Sequence, residues 1–256
     1  MTSAKPNIQY REANIINTAQ KMITSLQNQQ IKDVVKLSNA RERRRQNLFL
    51  IEGARELSLA ISVGDYGIRK LFVCEELLDI ESKILVRKLA IPYEKVSAEV
   101  FKKMAYREES DGIIAVSCPK RLSLDMVRLS ANPFVIVLEA VEKPGNLGAI
   151  LRTADAARVD AVVVCDPKTD IYNPNIIRSS IGCVFTKQIV ACTSEEVLQW
   201  LKQAGVRIFA AELTAPEWYH KTDFTQPSAI VMGTEADGLT GFWLRNADRR
   251  IKIPMR

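Results

Sequence analysis

A single stretch in the second half of this chain, LEAVEKPGNLGAILRTADAARVDAVVV (Leu138 to Val164), constrains the fold more than any other. An apolar run ends in an acid, a Pro-Gly-Asn turn follows, and a helical pattern then leads into a second apolar run. Strand, turn, helix and strand in that order make a parallel unit, with the turn at the end of a strand. The helix carries Arg152 among Ala, Leu and Ile, where a buried guanidinium needs a partner. Asp155 and Glu139 are the nearby acids that would pair with it if its role were structural. A second Gly/acid turn, VMGTEADGLTGFW (Val231 to Trp243), repeats the arrangement. Two such turns on one sheet predict a site at strand ends.

The same alternation extends in both directions. Upstream, IKDVVKL reads as a short helix, NLFLIE as a strand, ARELSLAIS as a helix, IRKLFVC as a strand and EELLDIESKILVRKLA as a helix. PYEKV then reads as a brief strand, SAEVFKKMA as a helix capped by Ser97, and GIIAVSC as a strand. Residues 118–133 are polar with a proline near either end, the composition of a linker. Beyond it, PFVIVLE, DAVVVC, TKQIVAC, VRIFAAE, SAIVMG and RRIKIP are short apolar strands of the kind a parallel sheet covers on both faces. Helices are expected over LGAILRTADAAR, NPNIIRSS, SEEVLQWLKQAG and GLTGFWLRNA. The domain reading is an extension over 1–23, an α/β domain over 24–118, a linker over 119–132 and a second α/β domain over 133–256.

Charge and composition narrow the function classes. No apolar run approaches the ~20 residues of a membrane span, and the N-terminus lacks the apolar core of a signal peptide. The five cysteines are odd in number and form no C-x-x-C pair, which argues against a disulfide framework or a zinc site and for a reducing cytoplasm. His220 is the one histidine, so no metal site is expected, and it reads as a surface residue. Asp160, Asp166 and Asp170 read as ordinary loop acids, and Trp200, Trp218 and Trp243 as core or interface residues. The net charge of +6 comes entirely from the first half. Lys32, Lys36, Arg41, Arg43, Arg44 and Arg45 crowd around Asp33 and Glu42, a cluster suited to a phosphate backbone or to a solvated helix face. Neither G-x-G-x-x-G nor G-x-x-x-x-G-K-[ST] occurs, so a Rossmann-like nucleotide enzyme lacks its fingerprint.

Asn146–Gly148–Arg152, NPNIIRSSIG (Asn173 to Gly182), VMGTEADGLT and IKIPM occur in that order. Together they resemble the SPOUT superfamily of RNA methyltransferases, and within it the SpoU/TrmH-type tRNA/rRNA 2′-O-ribose methyltransferases. Residues 23–56 also resemble the start of that family's ribosomal-protein-like substrate-binding domain. The resemblance implies an N-terminal RNA-binding domain and a C-terminal α/β domain with a mainly parallel sheet and a trefoil knot. It implies S-adenosylmethionine as methyl donor, with Asn146, Arg152 and Glu235 as active-site residues and Gly233, Ile253 and Met255 at the cofactor. It further implies structured RNA, rRNA or tRNA, as substrate, bound through Lys36, Arg41, Arg43, Arg44, Arg45 and Arg178. A homodimer through the C-terminal domains is implied too, with Phe242 and Trp243 as contacts or core.

Two departures accompany the resemblance. Arg158 stands where the family has a glycine after the first helix. The family continues beyond its IPM strand into a loop and helix marked by Ser-Leu-Asn, which predicts roughly twenty further residues after Arg256. A protein of another class, an RNA binder using an inactive second domain to dimerise, is the rival reading. Asn146, Arg152 and Glu235 together argue against it.

Overall fold

In the N-terminal half, successive strand residues point to opposite faces of a sheet that helices cover on both sides. The computed structural model describes residues 21–64, 66–89 and 91–254. Most of the expected extension over 1–23, together with Met255, falls outside the described residues. The elements are α1 (Gln29–Lys36), α2 (Ala40–Gln46), β1 (Phe49–Glu52), α3 (Ala54–Val63), β2 (Ile68–Val73), α4 (Ile80–Leu89), β3 (Glu94–Lys95), α5 (Ala98–Met104) and β4 (Ile113–Ser117). The sheet runs β1-β4-β2-β3, with β4 antiparallel to both neighbours and β2 parallel to β3. Leu50, Phe72, Ile114 and Val116 point to one face, where Ile31 and Val34 of α1 and Val100 and Phe101 of α5 meet them. Phe49, Ile51, Leu71, Val73, Ile113 and Ala115 point to the other, against Leu57 and Ala60 of α3.

Ser97 caps α5 by accepting from Val100 N, as the sequence predicts. Two predicted details differ. Helix α4 begins only at Ile80, because the preceding EELLD forms a turn. The basic stretch Ala40–Gln46 is a helix of its own, bounded by the Asn39 side-chain cap and by Asn47 in the left-handed conformation at φ 51°.

The second half follows with β5 (Phe134–Glu139), α6 (Pro144–Ala156), β6 (Ala161–Cys165), α7 (Pro174–Ser179), α8 (Cys183–Thr186) and β7 (Gln188–Cys192). It continues with α9 (Ser194–Gln203), β8 (Arg207–Ala211), β9 (Glu217–Trp218), β10 (Ser228–Met232), α10 (Gly241–Asn246) and β11 (Arg249–Lys252). The sheet order is β7-β6-β5-β10-β8-β11-β9, and each pairing is parallel. Val135, Val137, Val163, Ile208 and Val231 face Val197 and Leu201 of α9 and Trp243 of α10. Ile136, Leu138, Val162, Val164 and Ile189 face Leu147 and Leu151 of α6 and Ile176 and Ile177 of α7. Trp243 is fully buried, so it is core and no interface contact. The expected buried strand IKIPM is shorter than predicted: pairing stops at Lys252, and Ile253 is 45% exposed.

One hydrophobic core joins the halves. Phe49 packs against Tyr172 and Phe185 at centroid distances of 4.3 and 6.1 Å, and Tyr66 meets Phe185 at 5.0 Å. The segment read as a linker is held along its length. Tyr172 Oη donates to Lys120 O at 2.5 Å, Ser130 N donates to Asp160, and the Gln188 amide bonds both backbone groups of Arg128. Asp160, Asp166 and Asp170 are structural ties, since Asp166 accepts from Ser194 Oγ and Asp170 from Arg43. His220 is exposed on a single helical turn and stacks on Trp218. All five cysteines are free thiols. Among the described residues no helix is long and apolar enough to cross a membrane.

Candidate active site

Strand order reverses between β5 and β10: from β5 the chain builds outward through β6 and β7, then crosses to β8 on the far side. The carboxyl ends of strands at such a switch point leave a crevice for ligands. Both turns singled out in the sequence open there, one after β5 and one after β10.

The first turn leaves β5 at Glu139, which is 4% exposed. Its carboxylate accepts from Thr240 N at 2.8 Å and Thr240 Oγ1 at 2.6 Å, joining the end of β5 to the start of α10. Pro144 then opens α6, where its fixed φ and missing N–H cost nothing. Asn146 is exposed in the first turn of α6, while Leu147 and Gly148 face inward. Gly148 allows α7 to approach closely: a Cβ there would run into the Ser179 hydroxyl and lie 2.8 Å from Ser180 N.

The second turn closes on itself. Thr234 N donates to Gly238 O at 3.0 Å and Gly238 N to Thr234 O at 3.1 Å. A Cβ on Gly233 would collide with the Gly238 carbonyl, so only glycine fits. Glu235 projects from this turn and forms an ion pair with Lys143 of the first. The Lys143 ammonium, with a smaller contribution from the Asn146 amide, holds the Glu235 carboxyl below the usual carboxylate range. Glu142 forms a further ion pair with Lys168, in the loop after β6.

Arg152 lies two turns into α6 with its side chain exposed. The acids that would make it structural are engaged elsewhere: Asp155 with Lys187 at 3.1 Å and Glu139 with Thr240. Among the described residues Arg152 has no ion-pair partner, so its guanidinium is open to a ligand. Asn146 and Glu235 are brought together beside the first turn. The Glu235 carboxylate is paired with Lys143 of the first turn. Lys143 was missed in the sequence, although its place between Glu139 and Asn146 was the available signal.

Gly233 and Ile253 stand at the ends of β10 and β11, on either side of β8. Leu213, just past β8, is 81% exposed beside them. Exposed apolar side chains at the carboxyl ends of adjacent strands suit a ligand with a flat base and a polar tail. S-adenosylmethionine fits that description. Among the described residues no group of His, Cys, Asp and Glu is placed to hold a metal ion.

The basic segment divides. Arg41 and Arg44 are exposed without ion-pair partners among the described residues. Lys36 pairs with Asp33 at 2.8 Å and Arg45 with Glu42 at 2.7 Å, on the surface, where such pairs exchange readily. Arg43 corrects the expectation. Its side chain is 3% exposed, bonded to Asp170 at 2.6 Å and to the carbonyls of Leu37 and Ser38, so it cannot reach RNA. Arg178 is exposed on α7 and faces Arg55, Tyr106 and Arg107 of the first domain across a cleft.

Comparison with known proteins agrees with this geometry. Residues 133–256 match the SpoU rRNA Methylase family, and residues 28–115 match the MRM3-like substrate binding domain. The chain is 30% identical to the 23S rRNA (guanosine(2553)-2'-O)-methyltransferase RlmP of Bacillus subtilis (strain 168), over 92% of this chain and 91% of that relative. Among solved structures it is similar to an RNA 2'-O ribose methyltransferase, with 36% identity, a TM-score of 0.81 and coverage of 92% and 90% of the two chains. It is similar too to the AdoMet-bound rRNA methyltransferase from Sinorhizobium meliloti, at 26% identity, TM-score 0.82 and coverage of 92% and 89%. With a site at the switch point and relatives that span nearly its whole length, the chain belongs to the SpoU rRNA methylase family.

Proposed function

We propose that this protein transfers a methyl group from S-adenosylmethionine to a ribose 2′-hydroxyl of 23S ribosomal RNA in the cytoplasm. The observation that carries the reading is Arg152, exposed and without an ion-pair partner among the described residues, beside two turns locked together by Glu139–Thr240 and Lys143–Glu235. The strand ends at Gly233 and Ile253 would hold the donor, whose sulfonium supplies an already electrophilic methyl group. What remains for the protein is alignment and help in removing one proton.

A guanidinium stays protonated at physiological pH, so Arg152 is not a general base. It grips the phosphate next to the target nucleotide and stabilises the oxyanion that develops as the hydroxyl gives its proton to water and the methyl passes from sulfur to oxygen, leaving a neutral thioether. Asn146 orients the ribose from the first turn of α6. Glu235 acts one step back, fixing Lys143 and, through them both, the shape of the turn. The 2′-hydroxyl is the group that separates RNA from DNA, so the choice of acceptor also sets the choice of nucleic acid.

Incubating the protein with an unmodified in vitro transcript of 23S rRNA and methyl-tritiated S-adenosylmethionine tests this. Label should appear in alkali-resistant dinucleotides, the mark of a 2′-O-methyl group. Label confined to bases, or none, would overturn the proposal. Two copies joined through the C-terminal domains belong to the same reading, with Phe242 at the contact, because Trp243 is buried. A monomeric mass by light scattering at micromolar concentration would remove the dimer.

A further inference from the structure

A cleft lies between α2, the linker and the loop after β6, outside the turns described above. Its floor is apolar, formed by Phe49, Ile171 and Ile189, and its rim carries Arg44 and Arg121. The acid at this rim, Asp170, is already taken by Arg43 at 2.6 Å, so it does not offset the rim charge. Arg44 has no ion-pair partner among the described residues. Arg121 gives one donor to Asn47 Oδ1 at 3.3 Å, which leaves most of its fork for a ligand.

The loop after β6 links the cleft to the active-site turn. Pro167 and Thr169 line it, and Lys168 between them is ion-paired with Glu142. The next residue, Lys143, is paired with Glu235. Cleft and candidate active site therefore share one loop. An apolar floor beneath two arginines suits the sugar faces and phosphates of a nucleic-acid strand.

We infer that this cleft is a groove for the RNA backbone, leading from the target nucleotide toward the N-terminal domain. Arg44 and Arg121 each hold one phosphate there, and the linker is a wall of the groove. The inference rests on the reading of the protein as an RNA 2′-O-methyltransferase and adds to it the path of the substrate.

The test uses the full chain, an unmodified 23S rRNA transcript and a salt series. Arg44→Gln with Arg121→Gln removes both charges, while glutamine at 121 retains a donor for Asn47. Transcript affinity should fall roughly tenfold at physiological salt, and the slope of log affinity against log salt should flatten by about two. Binding of S-adenosylmethionine should stay as in the parent chain. If the double variant unfolds, Arg44→Gln alone carries the test, with a slope change of about one. An unchanged slope in a folded variant overturns the groove and leaves the activity standing. RNA binding that depends on both arginines, in a protein that methylates nothing, supports the groove and overturns the activity. Polyglutamate bound through the same arginines more tightly than RNA would assign the cleft to an acidic protein partner and overturn the inference.

Discussion

Arg43 and Arg152 carry the same side chain, and burial decides what each does. Arg43 is enclosed by two carbonyls and Asp170, so its removal leaves the Leu37 and Ser38 carbonyls and the part-buried Asp170 carboxylate short of a donor. Arg43→Ala should therefore destabilise the fold by about 3 kcal/mol, measured by urea denaturation. A loss below about 1 kcal/mol would show the pair to be surface-like. Arg152→Ala should leave stability within about 0.5 kcal/mol and lower the methylation rate by about a hundredfold or more. Arg152→Lys should fail as well, since a point charge cannot reproduce the planar fork. Near-normal turnover by either variant in the tritium assay removes Arg152 from the site. Arg158 sits at φ 54° just after α6, a conformation that favours glycine. Arg158→Gly should raise stability by about 0.5–1 kcal/mol, and a lower melting temperature would contradict that.

At the level of elements, the close contact of α6 and α7 depends on Gly148. Gly148→Ala should cost about 1–3 kcal/mol by overpacking, and equal stability would mean that the helices can part freely. The two active-site turns depend on Lys143 and Glu235. Because the pair lowers the Glu235 pKa, its contribution is present above the ordinary carboxylate range and is lost as pH falls through the lowered value. Lys143→Met should return the Glu235 titration toward the ordinary range in carboxyl-carbon NMR. An unmoved titration would deny the pairing. Most of these elements were legible in the sequence, because a parallel sheet covered on both faces writes its strands as unbroken apolar runs. Helix α2 was not, since ARERRRQ carries no apolar stripe and is recognisable only by its asparagine ends. Arg152 stood out as the one cation in a helix rich in Ala, Leu and Ile. Arg43 misled because charge does not report exposure, and the acid that buries it lies 127 residues away in the chain.

The whole molecule has one core that crosses from one sheet to the other. Phe49 belongs to the first sheet yet packs against Tyr172 and Phe185 of the second domain. Heating should therefore give one cooperative transition in calorimetry, and Phe49→Ala should lower it as a unit, by about 3–5 kcal/mol. Two separated transitions would show that the domains melt independently. The pinned segment between the sheets has a further consequence. With Lys120, Arg121, Arg128 and Ser130 all tied down, the distance between the grip of one domain and the chemistry of the other is set before any RNA arrives. The protein behaves as a fixed gauge: it loses little interdomain freedom on binding, and an RNA qualifies by matching the span.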